Sequence, residues 1–419
     1  MALELTDRDR ALLEGRHGPA AALAMRIVTR MAEVFRAKTL LEITQAHIDS
    51  ALYIGEANLA FAERLARDGG RVAVPTTLNV SGLDEHGWQA WAVPPDWAEK
   101  ARRQMRAYER MGCLPTWTCA PYQTEHAPHF GQQIAWGESN AIVFANSVLG
   151  ARTERYPDLL DICAAITGRV PAFGLHLEEN RRGDVLLRLE GIPRRLQQDP
   201  SFYPVLGHLI GKVAGDRVPV LEGLEAAPGE DDLKALGAAA ASSGNVGLFH
   251  WIGITPEAPT LEAATGGRKV EVVAVGMAKL RAARAELTTG SGEALDMVVL
   301  GSPHFSLAEF RRLAPRLEGH RHPSVRFLVT TSRAVAHLAR QAGLLESLDS
   351  FGGRVTVDTC ILTSPMLPKE IRRLMTNSAK YAYYAPGLLG AQVAFGSLDD
   401  CVRSAREGRI MRDETLWQG

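Results

Sequence analysis

Residues 119–182 carry the densest collection of side chains with useful chemistry in this chain. Two cysteines and three histidines lie there among carboxylates, hydroxyls and amides, interleaved with Gly, Ala and short apolar runs. Buried polar groups must be hydrogen-bonded or ligated, so a stretch of this texture is costly unless it serves a function. The pattern therefore predicts a polar site, and a solvated helical face with core histidines is the alternative.

Thiolates suit soft metals and iron–sulfur clusters, and the chain has five cysteines. Cys119 and Cys163 lie in segment 119–182, and Cys360 lies far downstream. No CxxC pair occurs, and the spacing from Cys113 to Cys119 is not that of a ferredoxin. The spacing alone indicates a metal site only weakly, because an isolated cysteine also serves as a small buried apolar residue.

Other chemistry-bearing patterns are missing or weak. The sequence contains no GxGxxG, Walker, GxSxG or HExxH pattern, so nucleotide binding and those hydrolytic chemistries have no support. His126 and His129 are three residues apart and can be read as metal ligands. Without a defined helix around them, a core or surface role is favoured.

The elements that must position these groups are strands followed by polar loops. Four such loops follow apolar segments, at 76–84, 301–306, 358–364 and 376–380. In open α/β sheets, ligands gather at the carboxyl ends of the strands, so these loops are candidate site segments. The alternative is that these loops are ordinary turns with polar residues and no ligand.

Local patterns predict the flanking elements. Apolar residues at helical spacing, with Gly, Pro and capping signals at the ends, predict helices over 6–17, 18–37, 57–67, 94–112, 138–149 and 157–167. Thr6 is the N-cap candidate of the first of these helices. Apolar runs predict strands over 71–76 and 171–176. Strands alternating with helices predict an α/β protein, which we divide at 1–184, 185–290 and 291–419.

Composition excludes several classes of protein. The 419 residues carry 47 basic and 48 acidic side chains, a net charge of -1, which gives no electrostatic case for nucleic acid or a membrane surface. The first residues lack the apolar core of a signal peptide, and no window of 18 apolar residues occurs. An odd, widely spaced set of cysteines then indicates reduced thiols and a cytoplasmic protein.

Several segments together resemble the large subunit, or catalytic domain, of the aconitase X family. They include AHIDSALYIGEANLAF, CAPYQTEHAPHFGQQIAWGESNAIVFANSVLGART, GSPHFSLAE, DTCILTSP and TNSAKYAYYAPGLLGAQVAFGSLDDC, in order along most of the chain. The resemblance implies three aconitase-like α/β domains around a central cleft, without the family's small swivelling domain. A separate small subunit is then expected to supply that domain, together with the catalytic base.

The resemblance also implies an activity. Members of this family are hydro-lyases that dehydrate hydroxy acids, and the expected reaction here is dehydration of cis-3-hydroxy-L-proline to Δ1-pyrroline-2-carboxylate in hydroxyproline degradation. The alternatives are a mevalonate 5-phosphate dehydratase large subunit and a non-catalytic iron–sulfur protein. The expected partners are the small subunit and a small hydroxy acid, with no nucleic acid or membrane.

An iron–sulfur centre is implied in the same way. The archaeal type holds its cysteines in CxPY, GCPH and DTC segments, and this chain matches the outer two with Cys119 and Cys360. Ser302 stands where the middle cysteine would be, so Cys163 is the expected third ligand. Three thiolates favour [2Fe-2S] over [4Fe-4S], with the iron acting as a Lewis acid.

The expected substrate cradle draws on groups from several loops. Arg152 is expected to bind a carboxylate, and Glu56 to pair with the ring ammonium of a prolyl substrate. The full set of predicted substrate-binding residues is Gly55, Glu56, Ala57, Asn58, Ser81, Ser139, Asn140, Arg152, Asn377 and Lys380.

Overall fold

The computed structural model describes residues 3–418 as alternating helices and strands, which confirms the predicted α/β class. The strands are β1 Leu40–Glu42, β2 Ala46–Ile48, β3 Thr76–Leu78, β4 Ala135–Trp136, β5 Arg169–Pro171, β6 Val185–Leu189, β7 Pro219–Glu222, β8 His250–Trp251, β9 Glu271–Val275, β10 Met297–Leu300, β11 Arg326–Thr331, β12 Arg354–Val357, β13 Arg373–Thr376 and β14 Gln392–Phe395. The helices are α1 Asp7–Leu13, α2 Pro19–Val34, α3 Glu56–Arg67, α4 Pro95–Arg110, α5 Ser139–Phe144, α6 Leu160–Thr167, α7 Arg194–Gln197, α8 Phe202–Ala214, α9 Glu230–Gly244, α10 Leu261–Thr265, α11 Met277–Glu286, α12 Leu307–Leu313, α13 Arg333–Gln341, α14 Leu344–Phe351, α15 Ala379–Leu389 and α16 Leu398–Glu407.

The N-terminal part of the chain is built on a three-stranded parallel sheet in the order β3-β2-β4. A short antiparallel pair, β1 with β5, lies beside it. Helices α2 and α6 pack on these strands around a core that includes Met25, Leu65 and Trp117. As predicted, Thr6 caps α1, and its hydroxyl accepts a hydrogen bond from the backbone N–H of Asp9.

The middle of the chain forms a four-stranded parallel sheet in the order β8-β7-β6-β9. Helices α8 and α9 cover it and approach each other closely. A Cβ atom built at Gly207 would lie 2.2 Å from the carbonyl oxygen of Leu236, so only glycine permits this helix contact.

The C-terminal part is a five-stranded parallel sheet in the order β12-β11-β10-β13-β14. The chain first runs outward from β10 to β12 and then returns to place β13 on the other side of β10. This reversal makes a topological switch point, and the crevice beyond the carboxyl ends of β10 and β13 is where ligands bind in such sheets.

Two strand predictions were wrong. Residues 71–75 are irregular and mostly exposed, and pairing begins only at Thr76, because Pro75 has no N–H to donate to the ladder. Strand β5 likewise ends at Pro171, and Gly174, at φ +54°, begins a 3-10 turn that ends at His176. Within residues 3–418, no helix has the length and apolar character needed to cross a bilayer.

Candidate active site

The loops after β10 and β13 meet at the switch point of the five-stranded sheet. The hydroxyl of Ser378 donates to the carbonyl oxygen of Ser302, which ties the two loops together. The same hydroxyl caps α15 by accepting a hydrogen bond from the N–H of Tyr381 at 3.1 Å. Asn377 and Lys380 are therefore held at the mouth of this crevice, as the strand-end pattern predicted.

Two of the predicted cysteines meet beside this crevice. The Cys119 thiol accepts a hydrogen bond from the backbone N–H of His304 at 3.2 Å, and Cys360 follows β12 on a buried loop. Burial, and then the charge of Glu138, raises the pKa of Cys119 to about 12, and Cys360 adds to the same shift. Burial raises the pKa of the Tyr381 hydroxyl, and Cys360 and Cys119 both add to this shift. The two thiols therefore lie near the same hydroxyl group.

An ion pair between Glu138 and Lys380 lies next to Cys119. The Lys380 ammonium donates to the Glu138 carboxylate at 2.5 Å, and both side chains are largely buried. Burial alone would lower the pKa of Lys380, but the Glu138 and Cys119 charges outweigh burial and raise it. Lys380 therefore stays protonated and places a positive charge beside Cys119.

Glu138 is held from its other side by the start of α5. It caps the helix by accepting the N–H of Ala141 at 2.9 Å, and the side-chain amide of Asn140 donates to it as well. The same amide donates to the carbonyl oxygen of Cys119 at 2.8 Å, and the Ser139 hydroxyl lies 3.5 Å from the Lys380 ammonium. The predicted residues Ser139, Asn140 and Lys380 thus converge.

Two further carboxylates lie on the same side of the cleft, and neither was predicted. Burial, and then the charge of Glu138, raises the pKa of Asp49 to about 8. Asp161 accepts hydrogen bonds from the N–H and the hydroxyl of Ser50, at 2.9 and 2.7 Å. The available signal for Asp49 was its position directly after the buried run Ala46–Ile48, at a strand's carboxyl end.

A charged latch connects the Cys360 loop to the first sheet. Arg333 donates to both carboxylate oxygens of Asp358, at 2.9 and 2.7 Å, and to Glu85 at 3.0 Å. The backbone N–H of Ser81 donates to the carbonyl oxygen of Asp358 at 2.9 Å. Ser81 is therefore near the site, but its own hydroxyl donates to Leu83 at 2.8 Å and serves the loop.

Several predicted residues are not brought to this cleft. Cys163 is fully buried in the apolar core of the first sheet, where Cys113 and Tyr108 are its neighbours, because α6 turns that face inward. Arg152 pairs with Glu178.

The start of α3 was expected in the cradle as well. Residues Gly55, Glu56, Ala57 and Asn58 are exposed or half-buried there. Glu56 pairs with Lys100 at 2.5 Å, so its carboxylate already has a cation. Among residues 3–418, no hydrogen bond or ion pair joins this segment to the site loops.

The donor set limits what metal centre the chain can hold. Across residues 3–418, no three Cys, His, Asp or Glu side chains converge in a geometry suited to a metal ion. Cys119 and Cys360 fit as two cysteine ligands because they lie in one neighbourhood, and a bound metal ion would have to displace the proton that the raised pKa keeps on Cys119. A three-thiolate set that includes Cys163 does not fit.

The fold and the site together define a class: a three-sheet α/β protein with paired cysteines and a lysine–carboxylate pair at a strand-end cleft. Family models for the aconitase X first, second and third domains match residues 2–179, 183–285 and 295–407. The chain belongs to the aconitase X family.

Individual relatives agree with this membership. The chain is 47% identical to a cis-3-hydroxy-L-proline dehydratase of Hypocrea jecorina over 97% of its own length and 69% of that protein. It is 33% identical to the phosphomevalonate dehydratase large subunit of Methanocaldococcus jannaschii, over 95% of its own length and 99% of that protein. A crystal structure of holo-form aconitase X from Thermococcus kodakaraensis superposes with a TM-score of 0.86 at 33% identity, covering 96% of this chain and all of the other.

Proposed function

We propose that this chain is the large subunit of a hydro-lyase that dehydrates cis-3-hydroxy-L-proline to Δ1-pyrroline-2-carboxylate. The 47% identity to a dehydratase of this substrate supports the proposal. The observation that carries it is the lining of the cleft, where the carboxyl groups of Asp49 and Asp161, whose pKa values burial raises, lie beside the ion pair of Glu138 with Lys380. Such a cleft suits a zwitterion with an ammonium group and disfavours a phosphorylated substrate.

In the proposed reaction, Lys380 stabilises the negative charge that develops on the substrate carboxylate when the α-proton leaves. Glu138 positions Lys380 by pairing with it, and the Asn140 amide holds the Glu138 carboxylate in place. The proton acceptor is expected from the small subunit, and the eliminated hydroxide needs a proton or a Lewis acid. These roles make Lys380 the central catalytic residue of this chain.

We also propose that an iron–sulfur centre, [2Fe-2S] in preference to [4Fe-4S], is held by Cys119 and Cys360. When bound, the centre supplies a Lewis acid for the hydroxyl or carboxylate of the substrate. Its remaining ligands would come from outside these two loops, since Cys163 lies in another core.

The proposal extends to organisation. A small swivelling subunit is the expected partner, and a cytoplasmic location fits five cysteines that are all free thiols. A division at 1–184, 185–290 and 291–419 assigns one of the three main sheets to each part.

A second candidate is dehydration of mevalonate 5-phosphate. It is favoured by the match in length, since the chain spans 99% of the archaeal large subunit. The cavity between α9, α12 and α16 argues against it, because five acidic and three basic side chains line that cavity. The three basic side chains that line this cavity, Lys234, Arg312 and Arg316, are each paired with a carboxylate. None of these three is left unpaired to bind a phosphate.

The test is an assay of the chain co-purified with its small subunit under anaerobic conditions. With cis-3-hydroxy-L-proline, we expect a pyrroline product that o-aminobenzaldehyde detects, and no turnover of mevalonate 5-phosphate. Lys380→Met should lose at least about 100-fold in kcat, as when a transition-state charge partner is removed. The exposed Lys369→Met serves as the matched control and should keep full activity.

The opposite result discriminates among the candidates. Turnover of the phosphorylated substrate alone would replace the proposal with the second candidate. An iron-containing complex that converts neither substrate would favour a non-catalytic iron–sulfur protein.

A further inference from the structure

Three carboxylates surround Gly137, and they differ in how well they are satisfied. Asp161 accepts three hydrogen bonds, two from Ser50 and one from the N–H of Ile162 at 2.7 Å. Glu138 has the Lys380 ammonium, a side-chain amide and a helix N–H. Both groups therefore have all the donors that a buried carboxylate requires.

Asp49 is the exception. Among residues 3–418 its carboxylate accepts one hydrogen bond, from the side-chain amide of Asn79, and forms no ion pair within 4 Å. It is only half-buried, so a ligand in the cleft can reach it. A carboxyl group this poorly compensated holds its proton at neutral pH, and a cation placed beside it would favour the ionised form.

Asn79 supplies a second and independent sign of a missing partner. Its side chain is only 3% exposed, and its amide oxygen has no hydrogen-bond donor among the described residues. The nitrogen of the same amide group donates to Asp49, so the unsatisfied oxygen is one amide group away from that side chain. An amide oxygen without a donor thus lies close to a carboxyl group that has only one donor.

Gly137 keeps this arrangement in place. A Cβ atom built there would lie 3.0 Å from the Cβ of Asp49 and 3.2 Å from Oδ2 of Asp161. Any larger residue would press on both side chains and displace the Asp49 carboxylate.

We propose that Asp49 and the amide oxygen of Asn79 form the subsite for the ring ammonium of a cyclic secondary amino acid. A prolyl ammonium has two N–H donors, which match the two acceptors, and its charge would lower the raised pKa of Asp49 and so stabilise the carboxylate. Lys380, which pairs with Glu138, then binds the substrate carboxylate. The zwitterion is therefore oriented by an acidic group at its ammonium end and by a cation at its carboxylate end. This inference rests on the proposed function, and it assigns to Asp49 the role that the sequence pattern gave to Glu56.

The test compares two ligands that differ only in the ring atom concerned, L-proline and tetrahydrofuran-2-carboxylate. Their binding to the complex with the small subunit is measured by calorimetry for the wild type, for Asp49→Asn and for the matched control Asp68→Asn, whose carboxylate is half-buried on α3's end. Neither ligand has a leaving group, so the result does not depend on turnover.

We expect the wild type to bind L-proline more tightly than the oxygen analogue, and Asp49→Asn to weaken L-proline binding about 10- to 100-fold, as for a lost hydrogen bond to a charged group. Binding of the oxygen analogue should change less than about threefold, and Asp68→Asn should match the wild type. A wild type that does not prefer the amine overturns the inference without any variant. Equal losses for both ligands in Asp49→Asn, or no loss, would also overturn it. Failure of the proposed function is a separate outcome, seen as normal amine recognition without pyrroline formation.

Discussion

Replacing Arg333 with methionine should release the latch that holds the Cys360 loop. Asp358 is completely buried and relies on the two hydrogen bonds from Arg333. Removing one partner of a fully buried ion pair costs about 3–5 kcal/mol, because the other charge is left without compensation. The Arg333 side chain is 32% exposed, so water shares the site, and we expect a loss of about 2–3 kcal/mol.

The loss should depend on pH in a defined direction. Burial raises the pKa of Asp358 to about 6, although Arg333 holds it down. A carboxyl whose pKa is raised on folding destabilises the folded state increasingly as pH rises from its unfolded pKa to its folded pKa. Without Arg333 the folded pKa rises further, so the defect should be larger at pH 8 than at pH 5.5.

Thermal unfolding at the two pH values measures this effect. We expect the Tm of Arg333→Met to fall by about 2–4 °C at pH 8 and by clearly less at pH 5.5. Arg340→Met, an exposed change on the same helix, controls for the loss of an arginine. The double variant Arg333→Met/Asp358→Asn should recover part of the loss, since no buried charge remains. A defect that is independent of pH, or a double variant that is worse than the single one, would refute the reasoning.

Three further variants test other parts of the structure. Cys163→Ala should leave the iron content of the complex unchanged, whereas Cys119→Ala should reduce it to below about a tenth; equal iron loss in both would restore Cys163 as a ligand. Gly301→Ala should destabilise the protein by more than about 3 kcal/mol in thermal unfolding, since φ is +96° and the new Cβ would lie 2.1 Å from a backbone oxygen; an unchanged Tm would contradict this. Lys234→Met should cost about 3 kcal/mol, because it leaves two carboxylate partners without their buried cation, and a Tm equal to that of the wild type would contradict this.

Local sequence signals predicted most helices and strand ends correctly, but they predicted only in part which side chains come together in the folded chain. Thr6 marked the start of α1 because its cap is set by neighbours in sequence. The loop at 376–380 was placed at a strand end because parallel strands share one direction, and Lys380 follows β13 in the structure. The failures near Pro75 and Pro171 arise where a missing N–H outweighs the apolar pattern.

The order of the strands in each sheet determines which loops meet, and no single segment of the sequence predicts that order. Cys163 and Cys119 are close in sequence, yet they lie in different cores because α6 faces the first sheet. Glu138 was not predicted because its role depends on Lys380, which follows it by more than two hundred residues in the sequence. Asp49 stands in an ordinary strand-end position, and only the unequal satisfaction of its neighbours makes it unusual.

The latch between Ser81 and Asp358 also sets an order of assembly. These residues are separated by 277 positions, and the first sheet can fold while the third is still being synthesised. At the usual 5–20 residues per second, roughly 15–55 s pass between the emergence of the two halves. In the later part of that interval the nascent chain contains Cys119 and Glu138 but lacks Cys360 and Lys380. Any metal centre or substrate that needs both halves can therefore be taken up only after Lys380 has been synthesised.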